Sequence, residues 1–200
     1  MAIIAIDFGT SNTVISYLNP DNRAVETLKF SEISRVFKLK KKNGYPVEVP
    51  VIPTLVFVEN NEELILGQKV RSQRLGLTKP ERLFQSFKRD LAADFQPPPR
   101  EIDGKSYSPK LISELFIREI WQQISRQNIE PKQVIFTAPV GAFDRYLDWF
   151  RDLGNKLGIE EITIVDESTA AALGYAVKRP GAIILVVDFG GGTLDLSLVR

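Results

Sequence analysis

Two runs of consecutive aliphatic residues, each ending at an aspartate, are the clearest feature of the hydrophobic pattern. Residues 3–6 run into Asp7, and residues 183–187 run into Asp188. Continuous aliphatic runs of this kind are typical of strands that are buried on both faces. Phe-Gly and a small polar turn follow each aspartate, and a second strand pattern follows each turn. Because the chain repeats this plan near both ends, we predict two halves that face each other.

The first run is followed by the pattern of a small antiparallel sheet. Residues 14–18 and 24–30 are predicted strands, and the polar residues 19–22 are a predicted turn between them. Together with the first run, these segments predict a three-stranded meander.

The less regular region over residues 31–107 is predicted to be an insertion on this first sheet. A hairpin is expected where residues 52–58 and 63–66 alternate around a pair of asparagines. A helix is expected over residues 80–93, because apolar residues recur there with i, i+3, i+4 spacing after a proline that the first turn tolerates. This helix would present Lys88.

From Ser108 onward, helical patterns alternate with short aliphatic strands. Ser108 is suited to cap a helix, and Pro109 is suited to its first position. The predicted elements are a helix over 108–127, a strand over 134–138, a helix over 142–157, a strand over 162–165, a helix over 168–177 and the last strand pair. This alternation implies mainly parallel pairing, so we predict an α/β fold with a mixed sheet flanked by helices.

Composition excludes several kinds of chemistry. The 200 residues contain no cysteine and no histidine, which excludes a disulfide, a thiolate nucleophile, a Ser-His-Asp triad and a Cys/His zinc site. The net charge of +1 provides no general attraction for nucleic acid or an anionic membrane, and the lysines of residues 38–42 are interpreted as a solvated loop. The longest apolar run is far below the roughly 20 residues of a membrane span. The first residues lack a signal-peptide pattern, so we expect a cytoplasmic protein.

The two aspartate-glycine turns suit phosphate binding. In residues 188–193, three consecutive glycines remove every Cβ from a tight turn, so backbone N–H groups can approach phosphate oxygens. In residues 7–13, small polar residues offer N–H and hydroxyl groups to a terminal phosphate. An ordinary hairpin would explain either turn alone, but two matched turns after buried strands favour phosphate binding. Neither turn is a Walker A loop or a dinucleotide-binding GxGxxG turn.

Four separated motifs make the chain resemble the amino-terminal part of the ATPase domain of Hsp70-type (DnaK-like) chaperones, in the actin, hexokinase and Hsp70 superfamily. The motifs are IDFGTSNT at 6–13, the Lys88-Arg89 pair, DESTAAALGYAV at 166–177 and VVDFGGGTLDLSLV at 186–199. The resemblance implies an RNase-H-like lobe, the actin-like ATPase fold, over residues 1–180 with the insertion at about 31–107. Residues 181–200 would be the first phosphate-loop hairpin of a second lobe whose remainder is absent.

The resemblance also implies a role for individual residues in the binding of ATP or ADP with Mg²⁺, and potassium is a further candidate ion. Asp7 and Asp188 would hold the magnesium ion through its waters. Lys88 would contact the γ-phosphate or the attacking water, and Glu167, Asp188 and Asp195 would form the acidic cluster that orients this water. The phosphate-binding residues would be Gly9, Thr10, Ser11, Asn12, Gly190, Gly191, Gly192 and Thr193.

Three charged residues of this set also have a plainer interpretation. Lys88 is consistent with a solvated helix lysine, Glu167 with a first-turn residue favoured by the helix dipole, and Asp195 with an outward-facing strand residue. The chain also departs from the family, which usually has Glu-Pro-Thr where Ser168 here replaces the proline. The stiffness that proline gives to the backbone is therefore missing.

The function that the resemblance implies is slow ATP hydrolysis that switches polypeptide binding. The implied partners are unfolded polypeptide clients, a J-domain co-chaperone and a nucleotide exchange factor, with no nucleic acid and no membrane. We expect the 200-residue fragment by itself to bind ATP poorly and to be inactive. The alternatives are an actin-like filament-forming ATPase, a sugar or acetate kinase of the same superfamily, and a non-hydrolysing binding module. Lys88 and the ESTAAALGYA segment favour the chaperone branch.

Overall fold

The computed structural model describes residues 2–40, 46–60, 63–176, 181, 183–191 and 194–199. Within these ranges the strands are β1 (Ile3–Phe8), β2 (Asn12–Leu18), β3 (Val25–Thr27), β4 (Arg35–Lys40), β5 (Pro46–Pro53), β6 (Leu55–Val58), β7 (Leu64–Leu66), β8 (Leu83–Gln85), β9 (Arg100–Ile102), β10 (Lys105–Tyr107), β11 (Gln133–Ala138), β12 (Glu161–Asp166), β13 (Ile184–Phe189) and β14 (Leu194–Val199). The helices are α1 (Gly67–Ser72), α2 (Phe87–Leu91), α3 (Pro109–Arg126), α4 (Phe143–Leu157) and α5 (Glu167–Ala176), with 3₁₀ turns at Pro80–Arg82 and Val140–Ala142.

The main sheet is mixed, as the sequence predicts. Among the described residues it has seven strands in the order β12-β11-β1-β2-β5-β4, and β3 also pairs with β2. The strands β12, β11 and β1 are parallel neighbours, whereas the remaining pairs are antiparallel. The predicted α/β class, the parallel pairing in the second half and the opening meander are therefore confirmed, although β3 is only 3 residues long.

Helix α3 begins where the sequence predicts. The backbone of Ser108 is extended, and its Oγ accepts a hydrogen bond of 3.1 Å from the N–H of Leu111, while Pro109 occupies the first helical position. Apolar residues on one face of the helix, among them Ile112 and Phe116, are fully buried in the main core. The period of 3.6 residues thus places a continuous apolar stripe against the sheet.

Phe8 fixes the end of β1 in this core. Its ring is buried and lies 5.9 Å, centroid to centroid, from the rings of both Phe116 and Trp149. Because successive side chains of a strand point to opposite faces, burial of Phe8 turns the preceding Asp7 away from these rings, where it is exposed.

The predicted helix over residues 80–93 is wrong. The segment instead consists of a 3₁₀ turn, strand β8 and the five-residue helix α2. Strand β8 pairs antiparallel with β6, and Ser86 adopts a left-handed conformation with φ of 59° between β8 and α2. Pairing with a distant strand has overridden a helical spacing that is only a few turns long.

The region after the meander contributes more to the sheet than the sequence predicts. Strands β4 and β5 pair with each other, and β5 joins β2 where Thr13 faces Ile52. Strand β4 and residues 46–51 of β5 were not predicted, and the interpretation of residues 38–42 as a loop is wrong for Lys38 and Lys40, which belong to β4. The predicted hairpin is confirmed only for β6 and β7, because Ile52 and Pro53 belong to the main sheet. Thr54 lies at the boundary between the two sheets.

The strands β13 and β14 form the predicted antiparallel hairpin, with Asp188 opposite Asp195. The prediction that β13 is buried on both faces is wrong, because among the described residues the alternate side chains of Leu185, Val187 and Phe189 are exposed on one face of the two-stranded ladder. Both strands contact helix α5. Among the described residues, none of the helices is long and apolar enough to cross a membrane.

Candidate functional site

A cavity of about 790 Å³ lies at the carboxyl ends of β1, β11 and β13, between helices α2 and α5. Its size is within the range of sites for small molecules. Of the residues predicted to form the site, those that line it are Asp7, Gly9, Thr10, Ser11, Asn12, Lys88, Glu167, Asp188, Gly190 and Gly191. The predicted residues Gly192 and Thr193, and the side chain of Asp195, lie outside the described part of the chain.

The first loop, residues 9–12, begins with a tight turn at Gly9, where only glycine fits. The N–H of Gly9 donates to the carbonyl oxygen of Asp7 at 3.2 Å. A Cβ on Gly9 would lie 2.3 Å from the backbone oxygen of Asn12, so any other residue would force the turn open. This closure leaves the residues between Gly9 and Asn12 lining the cavity.

The second loop lies directly against the first. A Cβ on Gly191 would be 1.9 Å from Oγ and 3.0 Å from Cβ of Ser11. The absence of a side chain at Gly191 therefore lets the two loops approach closely. Two turns rich in glycine and small polar residues can in this way offer backbone N–H groups to one anionic ligand from opposite sides.

Lys88 and Glu167 form a largely buried ion pair beside these loops. The Nζ atom of Lys88 donates to Oε1 of Glu167 at 2.5 Å, and the two side chains are 5% and 20% exposed. The ammonium group also lies over the rings of Phe8 and Tyr146, at 5.8 Å and 5.6 Å from their centroids. The interpretation of Lys88 as a solvated lysine is therefore wrong.

Helix α5 holds Glu167 in this position. Oδ1 of Asp166 accepts a hydrogen bond of 2.7 Å from the N–H of Thr169, so Asp166 caps the helix and Glu167 begins it. Ser168 is buried, and its Oγ accepts a hydrogen bond of 2.7 Å from Ser197 of β14. This hydrogen bond joins α5 to the hairpin of β13 and β14, and a proline at position 168 could not form it.

The pKa of Glu167 is raised above its ordinary value. Burial is the largest cause, and the negative charges of Asp7 and Asp188 act in the same direction. The charge of Lys88 and its hydrogen bond oppose this increase. Glu167 is therefore a carboxyl group whose protonation depends on the charges that enter the cavity.

Asp7 and Asp188 are the acidic groups available to a magnesium ion. Thr137 at the end of β11 donates to Oδ1 of Asp7 at 2.8 Å, which orients this carboxylate. Among the described residues, no three carboxylates lie close enough together to bind a metal ion directly. Asp7 and Asp188 both line the cavity, so their carboxylates are accessible to the waters of a hydrated cation.

Comparison with known proteins places the chain in a family. The family model described as "Hsp70 protein" matches residues 99–200, just over half of the chain. The chain belongs to the Hsp70 family. It is 30% identical over 201 residues to the chaperone protein DnaK of Thermotoga petrophila and 28% identical to that of Thermosipho melanesiensis, and 99% of the chain is aligned in both cases. The chain spans 30% of the length of these relatives.

The observed fold is consistent with membership of the Hsp70 family. The site also includes residues that the sequence analysis did not predict. Tyr146 of α4 lines the cavity, and its Oη donates to the backbone oxygen of Lys88 at 2.6 Å. Burial, followed by the charges of Glu167 and Asp90, raises the pKa of Tyr146, so its hydroxyl keeps its proton. Nothing in the helical pattern around Tyr146 distinguishes it from a core residue. Thr137 was detectable in principle, because it lies at the carboxyl end of a parallel strand beside β1.

Proposed function

We propose that the chain binds Mg-ATP between the loops at Asp7 and Asp188 and hydrolyses it slowly, as part of a cytoplasmic chaperone that switches polypeptide binding. The observation that supports this most is the close approach of Ser11 and Gly191, which brings two phosphate-type turns to one cavity beside the Lys88–Glu167 ion pair. Residues 1–180 would form the first lobe, with its insertion at about 31–107, and residues 181–200 would begin the second.

The chain's own residues would each contribute one part of the reaction. Backbone N–H groups of the two loops would hold the phosphates, and Asp7 and Asp188 would hold the waters of Mg²⁺, with potassium as a further ion. The ammonium group of Lys88 would stabilise charge on the γ-phosphate or orient the attacking water. Glu167 would hold Lys88 in place and, with Asp188 and Asp195, would orient the water.

The proposed partners are unfolded polypeptides, a J-domain co-chaperone and a nucleotide exchange factor. The Hsp70 family match does not favour an actin-like filament-forming ATPase or a sugar or acetate kinase. We further propose that the 200-residue chain alone binds ATP weakly, because the adenine side of the site would belong to the remainder of the second lobe.

The decisive test is single-turnover hydrolysis of Mg-ATP by the full-length protein, with and without an unfolded peptide. We expect slow turnover that the peptide stimulates, and a loss of at least about 100-fold in Lys88→Ala, because a charge that stabilises the transferring phosphate is removed from a water-poor site. The matched control is Lys110→Ala, since Lys110 is an exposed helix lysine. Turnover that neither the peptide nor Lys88→Ala changes would contradict the proposal.

A further inference from the structure

Thr54, which no motif singles out, makes three hydrogen bonds at the base of the first loop. It lies between β5 and β6 and is 1% exposed. Its N–H donates to the carbonyl oxygen of Ser11 at 3.0 Å, and its Oγ1 donates to the carbonyl oxygen of Gly9 at 2.8 Å. Thr54 is thus bonded to two residues of the loop, Gly9 and Ser11, that are two positions apart.

The hydroxyl of Thr54 is also one member of a chain of hydroxyl groups. Its Oγ1 lies 3.0 Å from Oγ1 of Thr13, which is fully buried. A hydroxyl group has a single proton, and that of Thr54 is given to Gly9, so Thr13 must donate to Thr54. The resulting chain runs from Thr13 through Thr54 to Gly9, and each bond in it polarises the next.

The other half of the site does not depend on this chain. Lys88 is held by its ion pair with Glu167 and by the hydrogen bond from Tyr146 to its backbone oxygen. Loss of the Thr54 hydroxyl would leave both contacts in place, while the carbonyl oxygen of Gly9 would lose its buried donor. The part-buried carbonyl oxygen of Gly9 and the fully buried hydroxyl of Thr13 would both lose a partner, which is costly, so the loop would shift to regain one.

We propose that Thr54 is a positioning residue that fixes the first loop, Gly9 to Asn12, in the shape that binds the phosphates. The expected effect of Thr54 on Mg-ATP binding rests on the proposed function, whereas its expected effect on the shape of the loop does not. The Thr54 hydroxyl acts on the loop alone. It therefore affects the affinity for the nucleotide and leaves the hydrolysis step, which depends on Lys88, nearly unchanged.

The test compares Thr54→Val, which keeps the shape and removes the hydroxyl, with Thr54→Ser, which keeps the hydroxyl. In the full-length protein we expect Thr54→Val to raise KM for Mg-ATP by about tenfold, the factor for one buried hydrogen bond, and to change kcat by less than about threefold. Thr54→Ser should stay within about twofold of wild type in both constants. The exposed Thr78 provides a control, Thr78→Val, for the general effect of this substitution.

A second readout needs no nucleotide. The N–H of Gly9 is bonded to Asp7, and the N–H of residue 54 is bonded to Ser11. Amide hydrogen exchange at both positions should be about tenfold faster in Thr54→Val and unchanged in Thr54→Ser. Thr13→Val removes only the first donor of the chain, so we expect a smaller effect of about two- to threefold, which tests the same hydroxyl chain if Thr54→Val does not fold.

The outcomes separate the two proposals. If wild type does not bind Mg-ATP, the proposed function is wrong, and the exchange rates alone decide whether Thr54 fixes the loop. If wild type binds Mg-ATP but Thr54→Val matches it in both KM and exchange, the inference about Thr54 is wrong and the proposed function stands. An equal loss in Thr54→Ser and Thr54→Val would also overturn the inference, because the hydroxyl would then be irrelevant.

Discussion

Burial and opposing charges around Glu167 together determine the protonation of this carboxyl group. Burial and the two aspartates raise its pKa, whereas Lys88 lowers it by its charge and by a hydrogen bond of 2.5 Å. Each of the charges that act on Glu167 comes from a side chain that can be replaced singly. The balance at this one residue can therefore be measured part by part.

We predict that Lys88→Met raises the pKa of Glu167 further and that Asp188→Asn lowers it. The first change removes the positive charge that favours the carboxylate, and the second removes a negative charge that opposes it. Carboxyl-carbon NMR over a pH titration would measure both shifts. The exposed Glu101→Gln serves as the control, and shifts of the same sign in both test variants would contradict the prediction.

The raised pKa of Glu167 determines whether the free energy of unfolding rises or falls with pH. Because the pKa of Glu167 is raised in the folded state, that state binds more protons than the unfolded state between the two pKa values. The free energy of unfolding of wild type, relative to Glu167→Gln, should therefore fall as pH rises through this window and stay constant above it. The slope cannot exceed about 1.4 kcal/mol per pH unit for one proton.

At the scale of elements, two helical glycines differ in what surrounds them. A Cβ on Gly154 of α4 would lie 1.8 Å from Cδ1 of Ile162 on β12, whereas a Cβ on Gly174 of α5 would have nothing within 4 Å. The first glycine allows helix α4 to pack closely on the sheet. The second has no such role among the described residues.

We predict that Gly154→Ala and Gly174→Ala change stability in opposite directions. The first should lower the free energy of unfolding by about 1 kcal/mol, because the cost of displacing the Ile162 side chain exceeds what alanine gains over glycine in a helix. The second should raise it by about 0.5–1 kcal/mol, since alanine loses less backbone entropy than glycine in a helix. Urea unfolding of the two variants would measure both values, and a stabilising Gly154→Ala would refute the packing argument.

At the scale of the whole molecule, the hairpin of β13 and β14 leaves one apolar face uncovered. Phe189 faces Leu194, Val187 faces Leu196 and Leu185 faces Leu198 across the ladder, so all six side chains share a face. Each of them is more than half exposed, and Phe189 reaches 84%. A contiguous apolar face of this kind favours association with another surface.

We therefore predict that the 200-residue chain self-associates, and that the double substitution Leu185→Lys and Leu196→Lys makes it monomeric. The two charges would have to be buried in any contact that uses this face. Sedimentation equilibrium over a range of concentrations would measure the association. Leu77→Lys is the control, because Leu77 is even more exposed than Leu185 and Leu196 but lies outside the hairpin. A wild-type chain that stays monomeric at high concentration would contradict the prediction.

Local patterns accounted for many of the elements of this molecule. The strands that contain Asp7 and Asp188, the cap at Ser108 and the glycine turn at Gly9 were all predicted. These features depend on residues that are adjacent or one helical turn apart, so the chain encodes them directly. Strand β8 was predicted as helix because its conformation depends on β6, whose residues lie about 28 positions earlier.

The sequence by itself determined which residue types could bind phosphate and where the chain turns to present them. Only the tertiary structure decided which of them meet. Lys88 and Glu167 are 79 positions apart, and Thr54 reaches Gly9 across 45 positions. Such distances follow from strand register and from how helices pack on the sheet, and these depend on the burial of many side chains at once. No local spacing encodes them, so Tyr146 and Thr54 became recognisable as parts of the site only in the folded chain.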